Sequence, residues 1–445
     1  MNCDAFTFDT RMAGALELLW GSLPALIGAF IVTVLAVPVA RRVAHATGVV
    51  DKPDQVRKLH GRTVAYLGGV GVFVGIFAGI LAGAVFANDR LADLAPVRPS
   101  IVLGMVVITF TGLADDIWKF DARLKIAGQL VAAAALALDD IGVNVAVGAL
   151  APIMGSPGDH FIHFGAFQVQ NATVFYWTGT AAVAAFVLGG CNAANLIDGL
   201  DGLLSGVTAI MCVGLLAISL AIVFALPPHP ELADPSVTSM AGVRVVLCMA
   251  ALGACLGFLI YNFNPASIFL GDAGSLLLGF VAVAIIMSFA NIGPFDCPYV
   301  NRAGTEPSAT GVMPGPTAGY DGYPLLLVMC GLTLFGLPIL DTLLAMIRRK
   351  RSGVSFSTAD AHHLHHRFKR SFGGSVRKAV LALYGVQVLL VVVGVAVALY
   401  LLIEGGQLRV PFLVLVAVFV VALLLAMRGM GTAPQQRPAD APAGP

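Results

Sequence analysis

The sequence predicts an all-α polytopic membrane protein with about eleven transmembrane helices. Three observations predict it. Of the 445 residues, 58% are hydrophobic and only 11% are charged, against about 25% charged in soluble domains. The apolar runs are continuous over roughly 20 residues, the length at which a helix crosses a hydrocarbon core. A barrel would instead show shorter segments of alternating polarity, and only helices or closed barrels satisfy the backbone inside lipid.

Taken in order, the apolar runs begin near Leu23, Val64, Ser100, Ile126, Tyr176, Leu203, Val243, Leu276, Pro324, Ala379 and Pro411. The fourth is cut short by Asp139 and Asp140. Residues 1–20 read as an outer N-terminal segment, 21–427 as a single transmembrane domain, and 428–445 as a disordered cytoplasmic tail without a core pattern. No signal-peptide cleavage pattern precedes the first span, which is therefore retained. Alternate connections at 41–62, 115–125, 191–202, 262–275 and 347–378, with the tail after Ala426, carry 20 Lys and Arg. The other side carries six: Arg11, Arg90, Arg98, Arg244, Arg302 and Arg409. The positive-inside rule then puts the first set in the cytoplasm, the N-terminus outside and the C-terminus inside. On the outer side, the alternation in "FIHFGAFQVQNATVFYW" predicts a short β-hairpin, and 294–323, rich in Pro, Gly, Ser and Thr, reads as a flexible loop. The seven cysteines form no C-x-x-C pair and read as small core residues.

The unusual polar clusters fall on the predicted cytoplasmic side. Asp115 and Asp116 leave the third span, Asp198 and Asp201 follow the fifth, and Asp272 follows the seventh. Such acids flank Gly and Asn rather than Lys and Ser, which favours a shared site over solvated helix ends. Magnesium is typically held by one or two carboxylates plus substrate phosphates, and this set is large enough to hold a metal and a substrate. "HHLHH" at 362–366 gathers four of the nine histidines beside Arg367, Lys369 and Arg370. Imidazoles and guanidiniums there, with Arg57, Lys58, His60 and Arg62, read as clamps for phosphate oxygens. Gly199, Gly202, Gly271 and Gly274 bracket acids and allow close backbone approach. Gly68 and Gly69 serve helix packing equally well, and Phe269 is either a base-stacking ring or an apolar anchor. Asp139 and Asp140 lie on the outer side and read as structural. Asp341 is the one acid placed inside a span. An ion-coupled transporter is the rival from another class, but transporters place acids at mid-membrane on broken helices.

Five stretches then resemble the polyprenyl-phosphate N-acetylhexosamine-1-phosphate transferases, in that family's order. They are D-K-P…R-K-x-H from Asp51 to His60, D-D at Asp115–Asp116, and N-x-x-N-x-x-D-G-x-D-G from Asn192 to Gly202. N-x-x-P-A-x-x-F-x-G-D-x-G-S follows from Asn262 to Ser275, and D-x-x-H-x-H-H-R from Asp360 to Arg367. The H-x-H-H-R form is similar to the N-acetylglucosamine-1-phosphate branch rather than the phospho-MurNAc-pentapeptide translocases, which stay as the alternative. The resemblance implies transfer of a sugar-1-phosphate from a UDP-N-acetylhexosamine to polyprenyl phosphate, with Mg²⁺ or Mn²⁺ as cofactor, at the bacterial inner membrane. It implies that Asp272 is the leading metal ligand, joined by Asp198. Asp115 and Asp116 would lie beside the lipid phosphate, with Asp115 the candidate base. Asn192, Asn195, Asp198 and Asp201 would arrange the nucleotide sugar, Asn262 and Phe269 would contact uridine, and His363, His365, His366 and Arg367 would hold phosphate or sugar. Nothing points to nucleic acid, and a homodimer stays open. The stretch "AYLGG" departs from the family, which often has Pro shortly before this glycine pair.

Overall fold

The computed structural model describes residues 8–51, 63–86, 97–119, 121–155, 161–164, 167–225, 240–291, 323–351, 353, 363–404 and 409–428. Each of the eleven apolar runs lies on a helix, so the all-α polytopic class holds. Among the described residues eight stretches are long and apolar enough to cross a membrane, or nine when a bent pair counts as one. The run near Ile126 falls short of that length because it forms a helix of only 16 residues, whereas the last run lies on a helix of 20 residues, Arg409–Arg428.

The chain begins with α1 (Phe8–Gly21) and α2 (Leu23–Thr47), interrupted at Ser22, whose hydroxyl donates to Leu18 O at 2.7 Å. From Phe8 onward the N-terminal segment is thus helical, which its sequence did not announce. Proline in the first turn of α2 and Gly48 at φ 76° after its last turn are the residues those positions favour. β1 (Val50–Asp51) pairs antiparallel with β2 (Val64–Ala65) and leads into α3 (Gly68–Val85). Next come α4 (Pro99–Trp118) and α5 (Ala122–Ala137), the latter capped by the Asp121 side chain accepting from Arg123 N at 3.3 Å. α6 (Val143–Met154) precedes the expected hairpin, with β3 (Phe161–Phe164) antiparallel to β4 (Phe167–Gln170). Then follow α7 (Asn171–Ile197), α8 (Leu203–Ala225), α9 (Met240–Asn262) and α10 (Gly271–Ser288). α11 (Tyr323–Leu334) and α12 (Gly336–Arg351) are one apolar stretch bent by 77°. The short α13 (Leu364–Ser371) and the long α14 (Val376–Glu404) and α15 (Arg409–Arg428) complete the chain.

α10 is the axis of the bundle. It is apolar on every side and buried almost throughout, as a helix without a polar face must be. α3, α4 and α7 pack directly on it. Glycines set how closely they approach: a Cβ on Gly69 would overlap the Gly274 backbone, and one on Gly112 would overlap the Asp272 carbonyl. Gly68 and Gly69 therefore do serve helix packing, and the contact they allow fixes the N-terminus of α10.

Because the helices alternate in direction, the turns after α2, α4, α7, α9 and α12 share one end of the bundle. At the opposite end, Arg98 approaches Asp139 at 3.7 Å and Ser100 donates to the same carboxylate. Asp139 is structural there, as expected. Arg244, counted above among the outer charges, is buried in the first turn of α9. It donates to Ser288 O and Asn291 O, both at 2.8 Å, and so caps the far end of α10. Cys191, Cys212, Cys248, Cys255 and Cys330 are free and buried.

Candidate active site

The site is assembled around the first turn of α10. Gly271 takes φ 70°, a left-handed conformation that glycine adopts without strain. A Cβ there would come within 2.6 Å of Asp116 Oδ2 and 2.7 Å of Tyr66 O. Asp116, at the end of α4, accepts from Asp272 N at 2.9 Å and Ala273 N at 3.0 Å. Both of its carboxylate oxygens thus satisfy first-turn amides that have no acceptor within the helix, and its negative charge suits a helix N-terminus. Asp116 thereby holds the first turn of α10 in place.

Asp272 projects from this turn into a cluster. Its Oδ1 accepts from Asn195 Nδ2 at 2.7 Å, and Asn195 also donates to Ser275 Oγ at 2.9 Å. Its Oδ2 accepts from the Lys125 ammonium, which lies 3.7 Å from Asp115 Oδ2. The carboxyls of Asp115 and Asp272 are within hydrogen-bonding reach of each other. Lys125 escaped the sequence reading because it was counted as an ordinary loop cation. It lies one helical turn before Gln129, a buried amide in an apolar run, and that i, i+4 polar pair was the available signal. Gln129 Oε1 accepts from Asn192 Nδ2 at 3.0 Å, so α5 and α7 meet through matched polar faces.

Asp198 follows the last turn of α7. Burial, then the Asp272, Asp116 and Asp201 carboxylates, push its carboxyl up to about 8. A cation arriving among these acids would draw it back toward the ionised form. Asp201 accepts from Asn264 Nδ2 at 2.8 Å and Ala266 N at 3.0 Å. Asn262 accepts from Gly202 N at 3.0 Å and Ser205 Oγ at 3.1 Å, and donates to Ile268 O at 3.0 Å. These two side chains tie the Asp198–Gly202 turn to the 263–270 connection, and Asn262 is only 5% exposed. The structure thus gives Asn262 a scaffold position between these two turns.

Phe269 meets Tyr66 edge-on at 5.8 Å between ring centroids. Its backbone is stitched to the β2–α3 corner, with Phe269 N to Ala65 O at 2.8 Å and Gly68 N to Phe269 O at 3.0 Å. Tyr66 occupies the atypical "AYLGG" stretch, and Lys119 Nζ lies 5.5 Å from its ring centroid. Burial, then the Asp116, Asp198 and Asp272 carboxylates, push the Tyr66 phenol up to about 12, so it stays a hydrogen-bond donor beside the acids.

His363 is the N-cap residue of α13 without a side-chain cap bond of its own, and His365 and His366 lie in its first turn, so 363–366 is a helix start rather than a loop. His363 and His365 rings stack at 5.5 Å, and His365 and His366 lie 4.3 Å apart. His365 is 2% exposed and packs against Gly199, where a Cβ would overlap its ring. Burial, then the charges of His365, His363, Lys369 and Arg370, hold the His366 ring down to about 4. His366 is therefore a neutral ring at pH 7, which can offer phosphate or sugar a ring N–H rather than a charge. Arg367 is lowered from its ordinary value by burial, then by Arg348 and Arg370, yet guanidinium keeps its charge. Lys58 and His60 lie outside the described residues, as do Arg57, Arg62, Asp360, the 294–322 loop and the 429–445 tail.

Gly199→Ala is expected to push His365 off the turn. Overpacking of this kind costs about 1–3 kcal/mol, and a misplaced site group costs up to roughly 10²-fold in rate. A melting curve in detergent together with a transfer assay would check both, and an unchanged pair of values would show that the ring can move freely.

Among the described residues, no three His, Cys, Asp or Glu side chains form a complete metal cage. The donor set nevertheless fits a hard divalent cation completed by substrate phosphates. Asp115 and Asp272 supply converging carboxylates, and the Lys125 ammonium already stands where they demand positive charge. Asp198, the second carboxylate expected at the metal, is a neighbouring charge to Asp272.

This site and its ordering along the chain have counterparts in known proteins. The model for the family described as "Glycosyl transferase family 4" matches residues 99–290, which span α4 to α10. The decaprenyl-phosphate N-acetylglucosaminephosphotransferase of Mycobacterium tuberculosis is 32% identical over 368 residues, covering 81% of this chain and 79% of that protein. The probable undecaprenyl-phosphate N-acetylglucosaminyl 1-phosphate transferase of Bacillus subtilis is 28% identical over 366 residues, 81% of each chain. The undecaprenyl-phosphate α-N-acetylglucosaminyl 1-phosphate transferase of Escherichia coli is 27% identical over 375 residues, 83% of this chain and 82% of that one. A multi-pass helical bundle with acids from α4, α7 and α10 joined at one end, and matched over four-fifths of its length by these proteins, belongs to the polyprenyl-phosphate N-acetylglucosamine-1-phosphate transferases of glycosyl transferase family 4.

Proposed function

We propose that this chain transfers N-acetylglucosamine 1-phosphate from UDP-N-acetylglucosamine to a polyprenyl phosphate, giving polyprenyl-diphosphate-N-acetylglucosamine and UMP. The observation that carries this is the cluster of Asp272, Asp115, Lys125 and Asn195 at one end of an apolar bundle. A soluble donor reaches that end from water while a lipid acceptor stays in the bilayer. An oxygen of the lipid phosphate attacks the β-phosphorus of the donor; a new P–O bond forms as the bond to the UMP oxygen breaks. Such transfers rest on positioning and charge neutralisation more than on covalent participation by the protein.

The protein's own groups divide that work. Lys125 supplies a fixed positive charge beside Asp115 and Asp272, where a phosphate oxygen would otherwise face two carboxylates. Asn195 aims Asp272 and Asp116 fixes the turn that carries it. Arg367 offers a planar guanidinium to phosphate oxygens. Asp115 and Asp272 would hold Mg²⁺ (or Mn²⁺) together with substrate phosphates, and the ion when bound would neutralise charge between the two reacting phosphates. The site end faces the cytoplasm of a bacterial inner membrane, because its connections carry most of the Lys and Arg. No observation favours a transporter, since the acid inside a span, Asp341, is engaged by His363 and Leu364 N.

Purified protein given labelled UDP-N-acetylglucosamine, undecaprenyl phosphate and Mg²⁺ is expected to yield organic-extractable label, and chelation should stop it. Failure to form that product with all three supplied would refute the reaction. Label crossing vesicles without a lipid acceptor would point to transport instead.

A further inference from the structure

We propose that Asp341 is the positioning residue for His363 in this reaction, acting through the imidazole and not by contact with substrate. This rests on the transfer reaction proposed above. Asp341 lies within α12, on the far side of the bend from α11, and is fully buried. Its Oδ1 accepts from Leu364 N at 2.6 Å and its Oδ2 meets His363 Nδ1 at 3.0 Å. His365 Nδ1 lies 3.7 Å from the same oxygen. One carboxylate thus gathers three consecutive residues from a segment more than 20 positions away in sequence.

Each contact has a consequence. An ionised carboxylate only accepts hydrogen bonds, so His363 must carry its proton on Nδ1, and its Nε2 is the nitrogen left to act elsewhere. Leu364 N is a first-turn amide with no acceptor inside α13, so the same side chain caps that helix. The His363 ring stacks on His365, and His365 packs on Gly199 beside Asp198. Orientation set at Asp341 therefore reaches the Asp198–Gly202 turn through two rings. A carboxylate in an apolar span is costly unless it is paired or put to use; this one is paired wholly with the histidine segment.

The test is a double-variant cycle on the full-length protein, with kcat, KM and melting temperature measured for each member. Asp341→Asn places an amide where the carboxylate accepted, freeing the His363 tautomer. It is expected to lower kcat roughly 10–100-fold, the usual loss when a group orienting a functional histidine is removed, with little change in KM for the donor. Asp341→Glu, which keeps two acceptor oxygens, should recover part of the loss. In a His363→Gln background, Asp341→Asn should cost far less in kcat than it does alone, because the part of its action that runs through the His363 imidazole is already gone. Wild-type kcat in Asp341→Asn, or losses that multiply in the double variant, would overturn the proposal. If Asp341→Asn does not fold, Asp341→Glu alone and with His363→Gln decides by the same non-additivity. A wild-type chain that makes no lipid-linked product would remove the reaction itself and this role with it, an outcome distinct from a failed cycle.

Discussion

Asp272→Asn is expected to abolish transfer while leaving the bundle folded. The substitution keeps size and keeps an oxygen for Asn195, but removes the charge that faces Lys125 and Asp115. Loss of one group that stabilises charge in the transition state typically costs about 10²–10³-fold, and Asp272 is also the metal ligand proposed above, which puts its loss at or beyond the upper end. The melting temperature should move little, because Asp272's backbone N–H, not its side chain, anchors the helix start to Asp116. Asp116→Asn is the informative contrast. An amide has one acceptor oxygen and would turn an NH₂ group toward a backbone N–H, so this variant should lose stability as well as activity. Near-wild-type turnover in Asp272→Asn would remove the assignment of the reacting centre to α10.

Gly69→Ala is expected to have the largest effect on stability. Its Cβ would overlap Gly274 N and Cα and approach Ala273 C at 2.8 Å. These are backbone atoms of the buried axis, so no side chain can swing aside. Overpacking generally costs about 1–3 kcal/mol and sometimes more, and a backbone clash belongs at the high end. α3 would have to back away from α10, loosening the Gly69 N to Leu270 O bond and with it the connection that carries Phe269. Activity should therefore fall together with the melting temperature. Gly189→Ala, where nothing lies within 4 Å, is the matched control and should leave both unchanged. Equal melting curves for the two variants would show that α3 and α10 are not held this closely.

The aspartates were legible in the sequence because an acid beside an apolar span is conspicuous, whatever its role. Their division of labour was not. Asp116 and Asp272 are alike in composition and setting along the chain, and only the fold shows that one accepts two backbone amides while the other faces a lysine. Asn262 and Asp201 sit in motifs that suggested ligand contacts, and the fold uses both to join two turns. Lys125 was invisible as a site residue because a lysine near a helix start is ordinary until the helix is placed. The charge state of His366 was not legible either, because it depends on burial and on which cations the fold sets beside the ring.

By itself the sequence determined that this protein is a helical membrane bundle, where most of its spans lie, and which polar stretches share one end. Hydrophobic run length and charge bias decide those properties locally, residue by residue. Only the tertiary structure decided which acid faces the site, how near α3 and α4 come to α10, and that Asp341 serves the histidines. Those depend on contacts between segments far apart in the chain, where a missing Cβ or a single backbone amide sets the geometry.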